Sequence, residues 1–329
     1  MKSATILIHT HFHRKRTGVT RSIENVFPHF SKRCNAYVYG YGVAGEKIST
    51  QELLKAVFSQ KSVVIHCHRN VEIIFVLILR FLGGQFKLIA TRHAETTPSI
   101  LTDILLKKVD TVVAITKNMS RQLSCPSVVI GHGVDQKIFK MRRKVSLDSI
   151  AQDNVISCVG RVREAKGQKF LLEVVAPLLK NYKDWALVII GKVDEVGFKR
   201  ELERVIYENS VERQVYFIPE TRDIVTFYQA SHTVVVPSFT EGFSLVCAEA
   251  MSCGCNVLAS RNVGVHSEII AEGRTGYLFE IKEKTELNNL LIELFEGRLI
   301  HLGESAQKEI AENWSSEVEA KNLMKLYIP

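Results

Sequence analysis

Apolar positions recur along this chain in two rhythms. Short runs of aliphatic and β-branched residues, Ala4 to Ile8, Ala36 to Tyr41, Ser62 to His66, Phe86 to Thr91, Thr111 to Ile115 and Ser127 to Ile130, are too brief for helices and close in polar loops. Between strands the spacing changes: Val19, Ile23, Val26 and Phe27 fall at helical intervals, and Lys117 to Leu123 reads as a further helix. Strand, loop and helix therefore alternate, which predicts a parallel sheet covered on both faces. Residues 136–153 are polar, basic and weakly periodic, and read as a linker. A second series follows, with strands Val155 to Val159, Ala186 to Ile190, Val215 to Ile218, Thr233 to Val236, Asn256 to Ala259 and Tyr277 to Phe279. Helices Gln168 to Leu179, Gly197 to Asn209 and Arg222 to Gln229, one after Ser244 and a short one from His266 separate them, and terminal helices close the series. The fold class is α/β, with two doubly wound Rossmann-like domains at 1–140 and 141–310 and a terminal helix at 311–329. In such sheets ligands sit beyond the carboxyl ends of the strands, so the domains are expected to face each other across a cleft.

Length agrees, since 329 residues exceed what one core usually fills. The longest apolar stretch, Val71 to Leu82, is interrupted by Glu72 and Arg80 and is too short to span a bilayer, so it reads as a buried helix. The opening Met1 to Ile8 has too short an apolar run for a signal peptide. Charge adds an asymmetry that the net +8 conceals: residues 1–150 hold 23 Lys+Arg against 9 Asp+Glu, whereas residues 151–329 hold 20 against 26. A half with a balance of +14 suits a polyanionic partner, whether nucleic acid, an anionic membrane or a phosphorylated glycolipid. Seven cysteines at 34, 67, 125, 158, 247, 253 and 255 show no paired metal-ligand spacing and read as buried thiols of a reducing cytoplasm.

Candidate chemistry concentrates after the strand Thr233 to Val236. Pro237 and Ser238 break the strand, a loop carries Glu241 and Gly242, and a helix follows whose expected N-cap is Ser244, accepting from a first-turn amide. Glu249 lies inside that helix and leans back toward the loop. Carboxylates beside Gly242 and the free amides of the first helical turn suit hydroxyls joined to an anion, a sugar linked to phosphate. A second constellation closes the strand Val155 to Val159: Gly160 admits a ligand to the backbone, Arg161 offers a planar fork and Lys166 a point charge for phosphate, with Arg163 left to solvent.

Glu241, seven residues, then Glu249 followed by Ala250, Met251 and Gly254 resembles the E-x7-E motif of retaining GT-B glycosyltransferases of family 4. Departures stand at Ser244, where a second Gly is common, and at Val263 to Glu268, where Gly-Gly and Pro are often seen. The resemblance implies that Arg161 and Lys166 face the donor diphosphate, that Glu241, with the amides of Gly242, Phe243 and Ser244 and with Leu245 beside them, holds the transferred sugar and its phosphate, and that Glu249 holds the ribose hydroxyls. The base is expected near Ile218 to Glu220. Developing charge on a leaving diphosphate needs fixed cations. No Asp-x-Asp occurs in the chain, so no metal is expected. His93 matches a histidine near the donor sugar, and Thr17, Gly18 and Thr20 resemble the N-terminal glycine loop. The implied reaction is a front-face displacement in which the leaving phosphate takes the acceptor's proton, so neither Asp110 nor Glu95 is made a nucleophile.

The series His11 to Thr20, His66 to Asn70, Thr91 to Ala94 and Gly131 to Asp135 followed by Phe139 is similar to bacterial lipopolysaccharide core mannosyltransferases. That similarity implies GDP-mannose as donor, no cofactor beyond it, and an anionic glycolipid or oligosaccharide acceptor met by Arg14, Arg16, Thr17, Arg69 and Arg92. His11 and His13 with Arg14, Lys15 and Arg16 read as an anion-contact surface rather than a metal cluster. The expected location is the cytoplasm, at the inner face of the cytoplasmic membrane, with contact through residues 14–16 and 142–144. The terminal helix around Trp314 to Tyr327 is expected to cross back to the first domain. Two other readings remain: a GT-B transferase or epimerase acting on a UDP-sugar with another acceptor or none, and a non-catalytic basic membrane-surface or nucleic-acid-binding protein. Aromatic and basic residues do not interleave, which places nucleic acid last.

Overall fold

The computed structural model describes residues 3–14, 17–59, 61–142 and 145–328. Contacts divide the chain into two units, one holding residues up to Asp135 together with those from Trp314 onward, the other Gln136–Asn313. In the first, chain order is β1 (Ile6–His11), α1 (Gly18–Phe30), β2 (Asn35–Gly40), α2 (Thr50–Val57), β3 (Val63–Cys67), α3 (Asn70–Phe81), β4 (Lys87–Arg92), α4 (Ile100–Leu106), β5 (Thr111–Ala114), α5 (Lys117–Gln122) and β6 (Ser127–Val129). The second runs β7 (Asn154–Val159), α6 (Gln168–Leu179), β8 (Trp185–Ile190), α7 (Val196–Asn209), β9 (Val215–Ile218), α8 (Ile224–Ala230), β10 (Thr233–Val236), α9 (Leu245–Ser252), β11 (Asn256–Ser260), α10 (His266–Ile269), β12 (Tyr277–Phe279), α11 (Lys284–Phe295) and α12 (Gly303–Asn313). Helix α13 (Ser316–Tyr327) returns to the first unit.

Among the described residues the strands make two six-stranded sheets, β2-β1-β3-β4-β5-β6 and β12-β11-β10-β7-β8-β9, every named pair parallel. Because successive strand side chains point to opposite faces, neighbouring residues of the first sheet enter different cores. Ile8, Ile65, Leu88 and Val112 pack with Leu53 of α2 and Val76 of α3. Leu7, Val64, Ile89 and Val113 pack instead with Ile23, Val26 and Phe30 of α1 and with Leu323, Met324 and Tyr327 of α13. Helix α13 thus completes one face of the first sheet, and each buried aliphatic side chain there contributes about 1.5–3 kcal/mol. A backbone latch holds its entry: Val134 N–H donates to Trp314 O at 2.9 Å and Ser316 N–H to Val134 O at 2.9 Å. A Cβ at Gly133 would lie 2.3 Å from Ser315 O, so the latch admits only glycine there.

Two expectations change. Residues 136–142 and 145–153 are not a loose linker: Phe139 and Ile150 are buried, and Phe139 O accepts from Ser252 Oγ of α9 at 2.6 Å. Apolar anchors within a polar stretch carry too little periodicity to signal packing. Helix α3 forms where predicted, but only one side is buried. Ile73, Val76 and Leu79 enter the core, while Val71, Ile74, Ile78 and Phe81 face outward, Phe81 at 89% exposure. Six of the seven free cysteines are buried and Cys125 is half-buried.

Candidate functional site

In the second sheet the chain winds from β7 to β8 and β9 on one side and from β10 to β11 and β12 on the other. The crevice where this order reverses lies beyond the carboxyl ends of β7 and β10. Both constellations singled out in the sequence meet there. Gly160 ends β7 at φ +145°, and Gly191 must also be glycine because a Cβ would stand 2.1 Å from Gly160 O. A short turn, Glu164–Lys166, leads to Gly167 at φ +69°, whose Cβ would stand 1.8 Å from Pro237 O. Phe239 N–H donates to Ala165 O at 3.0 Å, drawing the two loops together.

Their closest polar contact joins Lys166 Nζ to Glu241 Oε1 at 2.6 Å, with the side chains only 16% and 10% exposed. Ser238 Oγ donates to the same oxygen at 2.7 Å. The two residues assigned to phosphate and to sugar hydroxyls are therefore each other's partners. Arg161 is 52% exposed and 3.5 Å from Asp194, leaving most of its fork to solvent. Arg163 was expected in solvent, yet it is half-buried and its Nε, among the described residues, is shielded without a partner.

Ser244 overturns its expected capping role. It sits before α9 at φ +87° and ψ +62°, a left-handed conformation from which its hydroxyl makes no cap bond. Instead Ser244 Oγ meets His266 Nε2 at 2.8 Å, and His266 Nδ1 meets Ser260 O at 2.8 Å. Glycine adopts such a backbone without strain, which explains why the residue is unusual at this place. A Cβ on Gly264, at φ +55°, would stand 2.9 Å from Glu241 Cβ, and Val265 N–H donates to the carbonyl of buried Phe243 at 3.2 Å. Gly242 and Leu245 flank this buried pair half-exposed. Glu249 is fully buried and accepts from Tyr228 Oη at 3.1 Å, a partner the sequence gave no signal for. Glu220 is exposed just beyond β9.

The first sheet reverses its order between β1 and β3, and histidines crowd that edge. His9 Nδ1 lies 3.1 Å from His68 Nε2, His68 Nδ1 3.0 Å from His93 Nε2, and His93 Nδ1 3.2 Å from His132 Nε2. His132 Nδ1 then meets Glu319 Oε1 of α13 at 3.1 Å and Ser22 Oγ at 3.0 Å. Ring centroids of His9 and His68 are 5.4 Å apart with planes 18° apart, and the shorter nitrogen distance means the rings meet edge to edge, as hydrogen bonding requires. His66 joins from the side, with Nδ1 at 2.6 Å from Tyr327 Oη and Nε2 at 2.6 Å from Thr91 Oγ1. His9, His66 and His68 each place a nitrogen within 4.8 Å of the others, near enough to consider a metal. Their nitrogens pair successively instead of converging on one point, and His66 spends both of its own on Tyr327 and Thr91.

Buried Glu72, which in the sequence merely interrupts an apolar run, fixes this edge. Its carboxylate accepts from His68 N at 2.7 Å and from Phe12 N and Thr10 Oγ1 at 3.1 Å each. His11 is buried, with Nδ1 at 2.7 Å from Tyr41 O and Nε2 at 3.2 Å from Thr20 Oγ1, so it does not belong to an anion-contact surface. Thr17 starts α1, its N–H donating to Thr20 Oγ1 at 3.1 Å, and Arg69 Nη2 reaches Thr17 Oγ1 at 3.4 Å while Arg69 Nε is shielded with no partner among the described residues. A Cβ on Gly18 would meet nothing within 4 Å among the described residues. Arg92 Nη2 donates to Thr96 O at 2.8 Å, and Arg14 lies over the Tyr41 ring at 5.7 Å. Arg16 and Lys15 lie outside the described residues.

The family model "Glycosyl transferases group 1" matches residues 140–315. Over 98% of this chain and 95% of its own length, the lipopolysaccharide core biosynthesis mannosyltransferase LpcC of Rhizobium leguminosarum bv. viciae is 27% identical. LpsB of Rhizobium meliloti, a lipopolysaccharide core biosynthesis mannosyltransferase, is 26% identical over 80% of this chain and 78% of its own. Among solved structures, Anabaena Alr3699/HepE in complex with UDP superposes with a TM-score of 0.78 at 18% identity, covering 99% of both chains. The fold is that of GT-B glycosyltransferases.

Two outcomes follow from the site as built. Ser244→Gly and Ser244→Ala both lose the bond to His266, but only alanine keeps the left-handed strain, so denaturant melts should find the glycine variant more stable than the alanine variant by about 1–2 kcal/mol. Burial lowers His9 to about 3 and holds His66, His68 and His93 well below the usual histidine value. A lowered folded value means that the unfolded chain takes up protons the fold refuses, so stability is full above pH 6.5 and falls as pH drops toward the folded values. Each such histidine removes up to about 1.4 kcal/mol per pH unit in that window, so the first unit is expected to lose stability on acidification. Trp314 fluorescence followed in Trp185→Phe protein should report that transition between about pH 6 and pH 4, fully reversible above it.

Proposed function

We propose, for a chain that belongs to the glycosyl transferases of group 1, that it moves mannose from GDP-mannose, with retention and without a metal, onto an anionic lipopolysaccharide-core acceptor. The observation that carries this reading is the Lys166–Glu241 pair at the switch point of the second sheet. A donor diphosphate competes with Glu241 for the Lys166 ammonium, and the released carboxylate then accepts from sugar hydroxyls. One contact thus exchanges for two that fit the two halves of a nucleotide sugar. Negative charge growing on the departing phosphate is met by Lys166 and by the fork of Arg161, so the stabilisation is concentrated in the transition state. Gly242, Phe243, Ser244 and Leu245 complete the donor surface of the second unit, with Glu220 toward the base. Glu249 takes the ribose hydroxyls, which requires the Tyr228 hydroxyl and its surroundings to yield. Similarity along nearly the whole of a core mannosyltransferase supports the choice of sugar and acceptor. On the acceptor side, Arg14, Arg16, Thr17, Arg69 and Arg92 meet the anionic groups.

Membrane contact in this reading falls on α3 and α4. Asn70 Nδ2 donates to Thr102 Oγ1 at 2.8 Å and ties the helices together. Their outer sides expose Val71, Ile78 and Phe81 from one and Ile100, Leu101 and Ile104 from the other, with Ile100 at 83%. This exposed apolar row on a helix whose other side is core supports the contact, and Lys107 and Lys108 directly after α4, in a half of charge +14, fit anionic lipid. Of the basic residues first considered for this contact, Lys15, Arg16, Arg143 and Lys144 lie outside the described residues.

Transfer is tested by release of nucleoside diphosphate from GDP-mannose with a lipopolysaccharide-core acceptor. Wild-type turnover should persist in EDTA, and Lys166→Ala should lower kcat/KM by roughly 10²–10³-fold; no turnover with any common nucleotide sugar, or an unaffected Lys166→Ala enzyme, overturns the reading. For the membrane face, Ile78→Glu with Phe81→Glu should abolish flotation with vesicles containing anionic lipid and spare turnover on a soluble acceptor.

A further inference from the structure

The two places where the second unit departs from the family pattern touch each other. Ser244 stands where a second glycine is common, and His266 lies within the departing segment 263–268. His266 is fully buried, with Nδ1 at 2.8 Å from the Ser260 carbonyl and Nε2 at 2.8 Å from the Ser244 hydroxyl. A carbonyl only accepts, so Nδ1 carries the proton, and burial lowers the pKa of the ring and keeps it neutral. Nε2 therefore accepts, and the Ser244 hydroxyl donates to it. The ring is in turn fixed to the loop it serves: Ser260 Oγ donates to Ser238 O at 2.7 Å, and Ser238 Oγ to Glu241 Oε1 at 2.7 Å.

Without that bond Ser244 would leave its place. A left-handed backbone, φ +87° and ψ +62°, is strained for a residue with a Cβ, and serine before a helix favours the extended conformation whose hydroxyl accepts from a first-turn amide. Both preferences draw the side chain toward the start of α9. The bond to His266 opposes them, and no cap bond forms. Ser244 O accepts from Cys247 N–H at 3.1 Å and from Ala248 N–H at 3.4 Å, but the Leu245 and Val246 N–H groups have no acceptor among the described residues. Both residues are half-exposed. Leu245 already belongs to the donor surface, and Val246 follows it on the same turn. We infer that His266 is a positioning residue for donor binding: it holds the Ser244 hydroxyl off the first turn of α9 and so keeps the Leu245 and Val246 amides open to the donor diphosphate. This inference rests on the transferase reading and deepens it. A glycine at 244 would adopt the same backbone without strain and would have no hydroxyl to hold back. The serine and the histidine thus do together what a second glycine does alone. His266 acts only through Ser244 and does not touch the ligand.

The test is the affinity for GDP, read by titration calorimetry. His266→Ala releases the Ser244 hydroxyl to cap the helix and should raise the Kd for GDP roughly 10-fold; adding Ser244→Gly removes the hydroxyl and should recover most of that loss. An unchanged Kd in folded His266→Ala protein overturns the inference. So does a double variant that binds no better than His266→Ala, because damage from losing a merely structural histidine is not repaired by deleting the serine. Amide hydrogen exchange on the ligand-free wild type needs no variant: Leu245 and Val246 should exchange as unbonded amides, and protection there means a capped helix and overturns the inference even if His266→Ala fails to fold. A wild type that binds neither GDP nor UDP defeats the transferase reading. In that case protection of Val246 gained in folded His266→Ala protein still supports the hold of His266 on Ser244, and no gain overturns it.

Discussion

The second unit depends on a close approach of two loops that the sheet brings side by side but does not itself join. Gly167 lies directly against the Pro237 carbonyl, and only because both loops are that near can Lys166 and Glu241 share a 2.6 Å contact. The pair is mostly withdrawn from water, where attraction is strong and an uncompensated partner would be costly. In the proposed reading, a ligand that brings both an anion and hydroxyls takes the place of each partner for the other. His266, locked between Ser260 and Ser244, and Gly264 against Glu241 brace the loop from behind.

Much of this was legible in residue order. Periodicity marks nearly every strand, because both sheets are parallel and their strands read as continuous apolar runs. The carboxylate pair and the basic turn were visible as motifs, since spacing along one strand–loop–helix survives in the sequence. What was not legible is what pairs with what. Lys166 and Glu241 are 75 positions apart, and nothing local says that they touch. Ser244 looked like a cap because serine favours that role, and the left-handed backbone imposed by the loop overrode the preference. Arg163 carries a charge that the sequence assigns to solvent, and tertiary packing shields its Nε; Glu72 reads only as a break in an apolar run, and packing buries it.

Helix α3 shows a different limit. An apolar run tells that water is avoided, not what replaces it, and half of this helix has no covering from its own fold among the described residues. The histidines of the first unit show the reverse case. Singly they looked like surface or site candidates, whereas together they fill the polar end of a sheet, where His93 has both ring nitrogens engaged by other histidines. The line ends on one carboxylate of α13, Glu319, a residue no motif singled out.

That helix also sets an order of events during synthesis. The face of the first sheet that α13 completes, through Leu323, Met324 and Tyr327, stays open until the ribosome has made Gln136–Asn313, so the second unit has its whole core before the first does. A nascent chain therefore exposes Leu7, Val64, Ile89 and Val113 for as long as the second unit takes to be translated. Domains that emerge first usually finish first. Here the earliest strands wait longest, and a chaperone that shields an apolar sheet face would find its opportunity in that interval.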